Sequence, residues 1–253
     1  MLKSNDPARE DLPEIQLRVT GAWQSPEELW EQFEDGKLGY RLQEDELVHI
    51  ETGTRFDLGT SPHDDDIAEI FDGTGRLSKK QIDEIAQHTV KIHVTGPGGS
   101  LDNARAIMQA AAALVHAGGS GVFIDNSGNA HGRDDWLKLA GDTQPGGAYW
   151  AFVAVTASEE EVFSVGMHCL GFRDAEMPDA PGREQGGFMI HNFLGYTYQS
   201  GNEMHDGDPI GDPAGPTHRV RALGCTRFPA DTPWYNPYGI WRLEWMEGEE
   251  EDD

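Results

Sequence analysis

Apolar residues first recur along this chain with a period of two. Between Glu14 and Thr20, Ile15, Leu17 and Val19 alternate with polar neighbours, the pattern of a strand with one buried face. Residues 1–13 carry no such pattern and read as a flexible arm. Ser25-Pro26-Glu27-Glu28 then supplies an N-cap, a first-turn proline and two first-turn acids. These predict a helix to about Phe33, which Asp35-Gly36 ends. Short strands are expected over Tyr40–Gln43 and Glu46–Glu51, and a short helical segment over Ile67–Phe71. Ser78-Lys79-Lys80-Gln81 has the spacing of a capping box and opens a helix to about Gln87.

The pattern is clearest in the middle of the chain. Val90–Thr95 reads as a strand with Val90, Ile92 and Val94 on one face, and Gly96-Pro97-Gly98-Gly99 turns the chain. Ser100 caps a helix from Leu101 to His116, with an apolar stripe through Ala104, Ile107, Met108, Ala111, Ala112, Leu114 and Val115, and Gly118-Gly119 stops it. Gly121–Asp125 is a short buried strand, and Trp136-Leu137 belongs to a short helix. Two long strands, Gly147–Thr156 and Glu161–Phe172, are expected as a hairpin through Ser158-Glu159-Glu160. Gly182–Gln199 reads as a helix. His218–Leu223 and Gly239–Met246 read as closing strands around a proline-dense loop, and 247–253 as a disordered acidic tail. Because the longest strands are consecutive and hairpin-linked, the expected class is α+β, a largely antiparallel sheet with helices packed on one face and room for ferredoxin-like elements. Residues 14–246 are expected to form a single integrated domain.

Several local phrases carry a resemblance: the strand-turn-helix of Val90–Ala117, the "GVFIDNSG" of Gly121–Gly128, the "EVFSVGMHCLGFRDAEMP" of Glu161–Pro178 and the "HDGDPIGDPAGPTHRVR" of His205–Arg221. Over about Val90–Met246 the chain resembles a bacterial family known as domain of unknown function 4261, and the N-terminal part fits it in outline. The resemblance implies an integrated α+β domain in a bacterial cell, and no activity, catalytic set or cofactor.

Composition changes the picture mainly through charge. Nineteen basic residues face 45 acidic ones, a net charge of −26. Such an exterior repels phosphates and anionic headgroups, so neither nucleic acid nor membrane is an expected partner. No apolar run approaches the roughly 20 residues that span a bilayer, and Met1–Asp11 holds no apolar signal region, so a cytoplasmic location is expected. Seven Trp, ten Phe and six Tyr supply ample core material. Cys169 and Cys225 belong to no CxxC spacing and read as two buried thiols of a reducing compartment in preference to a disulfide.

Candidate chemistry is sparse. Thr95–Ser100 (TGPGGS) lies between a strand and a helix N-terminus, where N–H groups can hold phosphate. It lacks the Walker lysine, and Asp102 already sits in the first turn, so a plain tight turn is the better reading. His63-Asp64-Asp65-Asp66 and His205-Asp206-Gly207-Asp208 are the densest His/carboxylate runs. A divalent metal held by His205, Asp206 and Asp208 with His168 would suit the donor chemistry of imidazole and carboxylate. Acidic turns carry such runs routinely. His168 and His191, in apolar sequence surroundings on a strand and a helix, read as hydrogen-bonded core histidines before general acids or bases. Trp241, Leu243 and Trp245 share a strand face, the pattern of a core. Trp234, Tyr235 and Tyr238 sit instead in a proline-flanked loop, where aromatics are hard to bury, and are the preferred partner contact. The leading expectation is a non-enzymatic binding module for a basic protein partner, an immunity-type neutraliser being one form of it. The rivals are a metal-dependent enzyme with His/Asp loop ligands and a housekeeping domain whose charge reflects only the salt of its cell.

Overall fold

The computed structural model describes residues 12–158, 161–178, 182–199, 203–212 and 215–246, so the expected arm (apart from Leu12 and Pro13) and acidic tail lie outside the described residues. The chain divides into two compact units, one of residues 1–153 with Cys169–Gly171, the other of Ala154–His168 and residues 172–253.

The first unit contains, in order, β1 (Glu14–Gly21), α1 (Pro26–Glu31), β2 (Tyr40–Gln43), β3 (Glu46–His49), β4 (Arg55–Pro62), α2 (Ile67–Asp72) and α3 (Lys79–Ala86). It continues with β5 (Val90–Pro97), α4 (Leu101–His116), β6 (Gly119–Ile124), β7 (Asn129–Gly132), α5 (Arg133–Gly141) and α6 (Pro145–Phe152). Its seven-stranded sheet runs β2-β3-β4-β5-β1-β6-β7, each neighbouring pair antiparallel. The period-two strand β1 lies inside it. Leu17 and Val19 pair with Val94 and Ile92 on one side and with Ile124 and Val122 on the other, and all six are buried. Each such side chain contributes about 1.5–3 kcal/mol on burial.

Helix α4 packs on β5, β1 and β6, while α5 and α6 pack against α4. Being covered on two sides, it buries Ala110 and Ala113 as well as its predicted stripe, so its apolar stretch from Ala110 to Val115 is buried all round. The opposite sheet face carries α2 and α3 at its β6 end, where Ile67, Phe71, Ile85 and Ala130 form a buried cluster. Gly121 permits that approach, because a Cβ there would stand 2.9 Å from both Ile85 and Phe71. Ser78 and Gln81 form the reciprocal capping box that their spacing predicts.

The second unit contains β8 (Ala154–Ala157), β9 (Glu161–Val165), β10 (Asp174–Pro178), α7 (Arg183–Gln199), β11 (Pro209–Asp212), β12 (Gly215–Leu223) and β13 (Ile240–Trp245). Its sheet runs β11-β12-β13-β10-β9-β8, with β10 and β13 parallel and the other pairs antiparallel. Helix α7 packs on β8, β9 and β10 with Ile190, Phe193 and Leu194 buried. The fold is α+β with large antiparallel sheets, as expected, although the first sheet carries helices on both faces where one face was expected.

Three expectations need correction. Gly147–Thr156 is not a strand: Pro145 opens helix α6 at its first turn, and only Ala154–Ala157 extends as β8. Glu161–Phe172 is not one long strand either. β9 stops at Val165, Gly166 takes a φ of 108°, and Met167–Leu170 winds into a 3₁₀ turn, so His168 stands on that turn. Trp241, Leu243 and Trp245 share a face, but Trp245 is 66% exposed at the end of β13, edge-on to His218, and belongs to no core.

Candidate functional site

The most elaborate polar construction lies in the second unit, beneath residues 224–239, which connect β12 to β13. These hold the proline-flanked aromatics, and Gly239 closes the segment with a φ of 90°, where a Cβ would collide with the Leu223 carbonyl. Local turns shape it: Thr232 N–H donates to the Pro229 carbonyl, Tyr235 N–H to Thr232, and Gly239 N–H to Asn236. Trp234 is 43% exposed with its ring 5.8 Å from Phe228, while Tyr235 and Tyr238 are half-buried. Burial pushes the Tyr238 phenol above its usual range.

Under the loop, β9 and β10 alternate. Val162, Ala175 and Met177 are buried on one side of the pleat, while Glu161, Phe163, Asp174 and Glu176 interleave with them. Arg227 reaches down from the loop. Its guanidinium donates twice to Glu161 (2.6 Å each) and once to Glu176 (3.1 Å), and lies 3.9 Å from the Phe163 ring centroid. Arg242 on β13 donates to the other Glu176 oxygen at 2.6 Å. The Arg227 hydrogen bonds hold the Glu161 carboxyl below its usual range. A planar fork matching carboxylates and stacking on an aromatic face uses the features that distinguish arginine from lysine.

Asp174 has no such cation. It is 3% exposed, and its carboxylate accepts from Ser164 Oγ (2.9 Å), Met167 N–H (3.2 Å) and Asn236 Nδ2 (2.6 Å). Desolvation outweighs these bonds and raises the group to about 6. Asn236, itself buried, also donates to the Phe172 carbonyl (3.0 Å) and accepts from Tyr238 N–H (2.9 Å). His168 bonds to the Pro233 carbonyl, and burial lowers it to about 4, so it is neutral at physiological pH. The remaining cleft, lined by Phe163, Asp174, Glu176, Cys225, Phe228 and Trp234, holds about 10 Å³, room for one water.

The structure therefore brings His168 to the aromatic loop and not into a ligand set with His205, Asp206 and Asp208. Asp208 accepts from His205 N–H at 2.7 Å, and Asp206 accepts from Ala222 N–H at 2.9 Å and lies 3.7 Å from Arg221. These carboxylates brace the turn leading into β11. In the other run, Asp64 pairs with Lys91, His63 bonds to the His88 carbonyl, and the His88 ring accepts from Asp64 N–H. No group of three or more His, Cys, Asp or Glu side chains is placed to hold a metal ion among the described residues. In the TGPGGS turn, Gly98 N–H donates to the Pro13 carbonyl and Gly99 N–H to Cys169, so two of its amides already have acceptors. Cys169 is buried and Cys225 half-buried, and no disulfide joins them.

Sequence reasoning located the aromatic loop and missed its floor. Asp174, Glu176, Ser164 and Asn236 carry no motif, and only an acid recurring at every second position of a strand (Asp174, Glu176) hints at buried charge. No family model, curated protein or solved structure matches this chain. No helix among the described residues is long and apolar enough to cross a membrane.

Proposed function

We propose that this chain is a non-enzymatic binding module for a basic protein partner, which it meets with its acidic surface and the Trp234–Tyr238 loop. The observation that carries this reading is how the cations are deployed. Arg18, Arg55, Lys91, Arg221, Arg227 and Arg242 are engaged by carboxylates of the chain itself, and Arg105, Arg133 and Arg173 donate to backbone carbonyls. With 45 acidic residues against 19 basic ones, the carboxylates outside these pairs leave the surface strongly negative. Helix α1 and the turn after it are representative: Glu27, Glu28, Glu31 and Glu34 are exposed around Trp30, itself 47% exposed. A field of this sign speeds encounter with a basic surface, while exposed aromatics give short-range affinity.

The test is capture from lysate on immobilised protein at low and at high salt, followed by titration of the purified captured protein. A basic protein released by salt is expected, with Trp234→Ala weakening it at least tenfold while leaving the melting temperature unchanged. If nothing basic and salt-sensitive is retained, the reading fails.

A further inference from the structure

We propose that the Asp174–Asn236 clasp is a proton-operated latch on the aromatic loop, closed while Asp174 is a carboxylate and opened when it takes up a proton. The inference rests on the docking role proposed for that loop and supplies its regulation.

The argument is one of donors and acceptors. Asn236 is engaged on both sides of its amide: Nδ2 donates to Asp174 Oδ2 and to the Phe172 carbonyl, and Oδ1 accepts from Tyr238 N–H. Its orientation is thereby fixed. Asp174 Oδ1 already accepts from Ser164 and Met167, and Ser164 Oγ in turn accepts from Ala175 N–H at 2.8 Å. A proton arriving at Asp174 therefore goes to Oδ2, where an O–H would face the Asn236 N–H. An O–H aimed at that 2.6 Å contact sets two donors against each other, and one turned aside leaves Oδ2 a neutral, weaker acceptor for the Asn236 N–H. Turning the Asn236 amide over restores the Asp174 bond, but sets Nδ2 against the Tyr238 N–H and abandons the Phe172 carbonyl. In each arrangement the hold on the loop at Asn236 and Tyr238 is weakened.

The other titratable and charged groups around the clasp have partners or positions of their own. Glu161 and Glu176 are paired with Arg227 and Arg242, and Arg173 donates to the Leu223 carbonyl. His168 stays neutral until about pH 4, and the Tyr238 phenol is raised. Cys225 lines the cleft as a thiol and lies on the loop itself. Asp174 is the group placed to respond, at about pH 6.

Amide hydrogen exchange of Tyr238 and Gly239, corrected for the intrinsic effect of pH, reads the latch directly. In the wild type these amides are expected to exchange at least tenfold faster at pH 5.5 than at pH 7.5, with the core amides of α4 unchanged. Asn236→Ala removes the clasp and leaves Asp174 in place, so fast exchange at both pH values is expected. Asp174→Asn should do the same. Equal protection of the wild-type loop at both pH values overturns the latch and leaves the docking reading standing. Binding of an oligo-arginine peptide, followed over the same pH range, separates the two ideas. Affinity falling as the loop opens supports both, whereas an opening loop with unchanged affinity sinks the docking role of the loop alone.

Discussion

At the scale of single residues, Asp174 sets two requirements against each other. A carboxylate buried without a cation is costly, and hydrogen bonds from Asn236, Met167, Ser164 and the Gly166 backbone only partly offset that desolvation, which is why the group stands at about 6. The sign of the linkage follows. A carboxyl whose folded value lies above its unfolded one binds protons more readily in the folded state. Its stabilising contribution is therefore fully present below the unfolded value and is lost as pH rises through about 6. For a rise from 3.8 to about 6 the difference is on the order of 3 kcal/mol. The molecule thus gives up stability at neutral pH to keep the carboxylate that orients Asn236. Denaturant unfolding of wild type and Asp174→Asn across pH 5 to 8 tests this. The wild type should lose more stability than the variant as pH rises, because the variant lacks the titration. Parallel curves for the two proteins would contradict it.

At the scale of elements, the boundary between α6 and β7 shows what the sequence could and could not reveal. Strand β7 is the end strand of the first sheet, yet every residue of it is buried, because α6 ends there. Asn129 Nδ2 donates to the Ala151 and Val153 carbonyls at 3.1 and 3.0 Å, and His131 Nε2–H donates to Ala151 at 3.0 Å. Burial lowers His131 to about 4, so it remains a neutral donor. These are the orphan carbonyls of a helix C-terminus, satisfied here by side chains of a strand. Asn129→Ala should cost about 1–3 kcal/mol by leaving buried acceptors unpaired. Asn129→Asp should cost more, since a carboxylate would face two carbonyls. Urea unfolding measures both, and a neutral Asn129→Ala would mean that water replaces the amide.

The same junction explains why local pattern failed there and succeeded elsewhere. Gly147–Phe152 is a short apolar run without polar interruption, which a buried strand and a buried helix share, and Pro145 was the discriminating residue. By contrast, β1, α3 and α4 were legible because a cap or an alternation fixes each of them locally. Strand β4 has no such signature, with Gly59 and Pro62 inside it, and it forms because β3 and β5 pair with it on either side. Within the candidate site, exposed Trp234 was readable from its proline-flanked loop. Asp174 and Glu176 acquire meaning only through Asn236, Arg227 and Arg242, residues 50 or more positions away.

At the scale of the whole molecule, a net charge of −26 acts on two observables in opposite directions. Within the folded chain the exposed carboxylates repel one another, which destabilises the compact state. The same carboxylates attract a basic partner from a distance. Raising ionic strength from about 0.01 M to about 0.15 M shortens the screening length from about 30 Å to about 8 Å and weakens both effects. The melting temperature of the isolated protein should therefore rise by several degrees across that range, while affinity for a captured basic partner falls. The inward ion pairs should survive, because Arg227 with Glu176 is largely shielded from solvent and so is screened far less. A surface that served only solubility would show the stability gain without any binding to lose. The decisive pairing is thus thermal denaturation and titration on the same salt series. Opposite slopes mark a surface used for recognition, and a melting temperature indifferent to salt would mean that the acidic residues are too dispersed to act as one field.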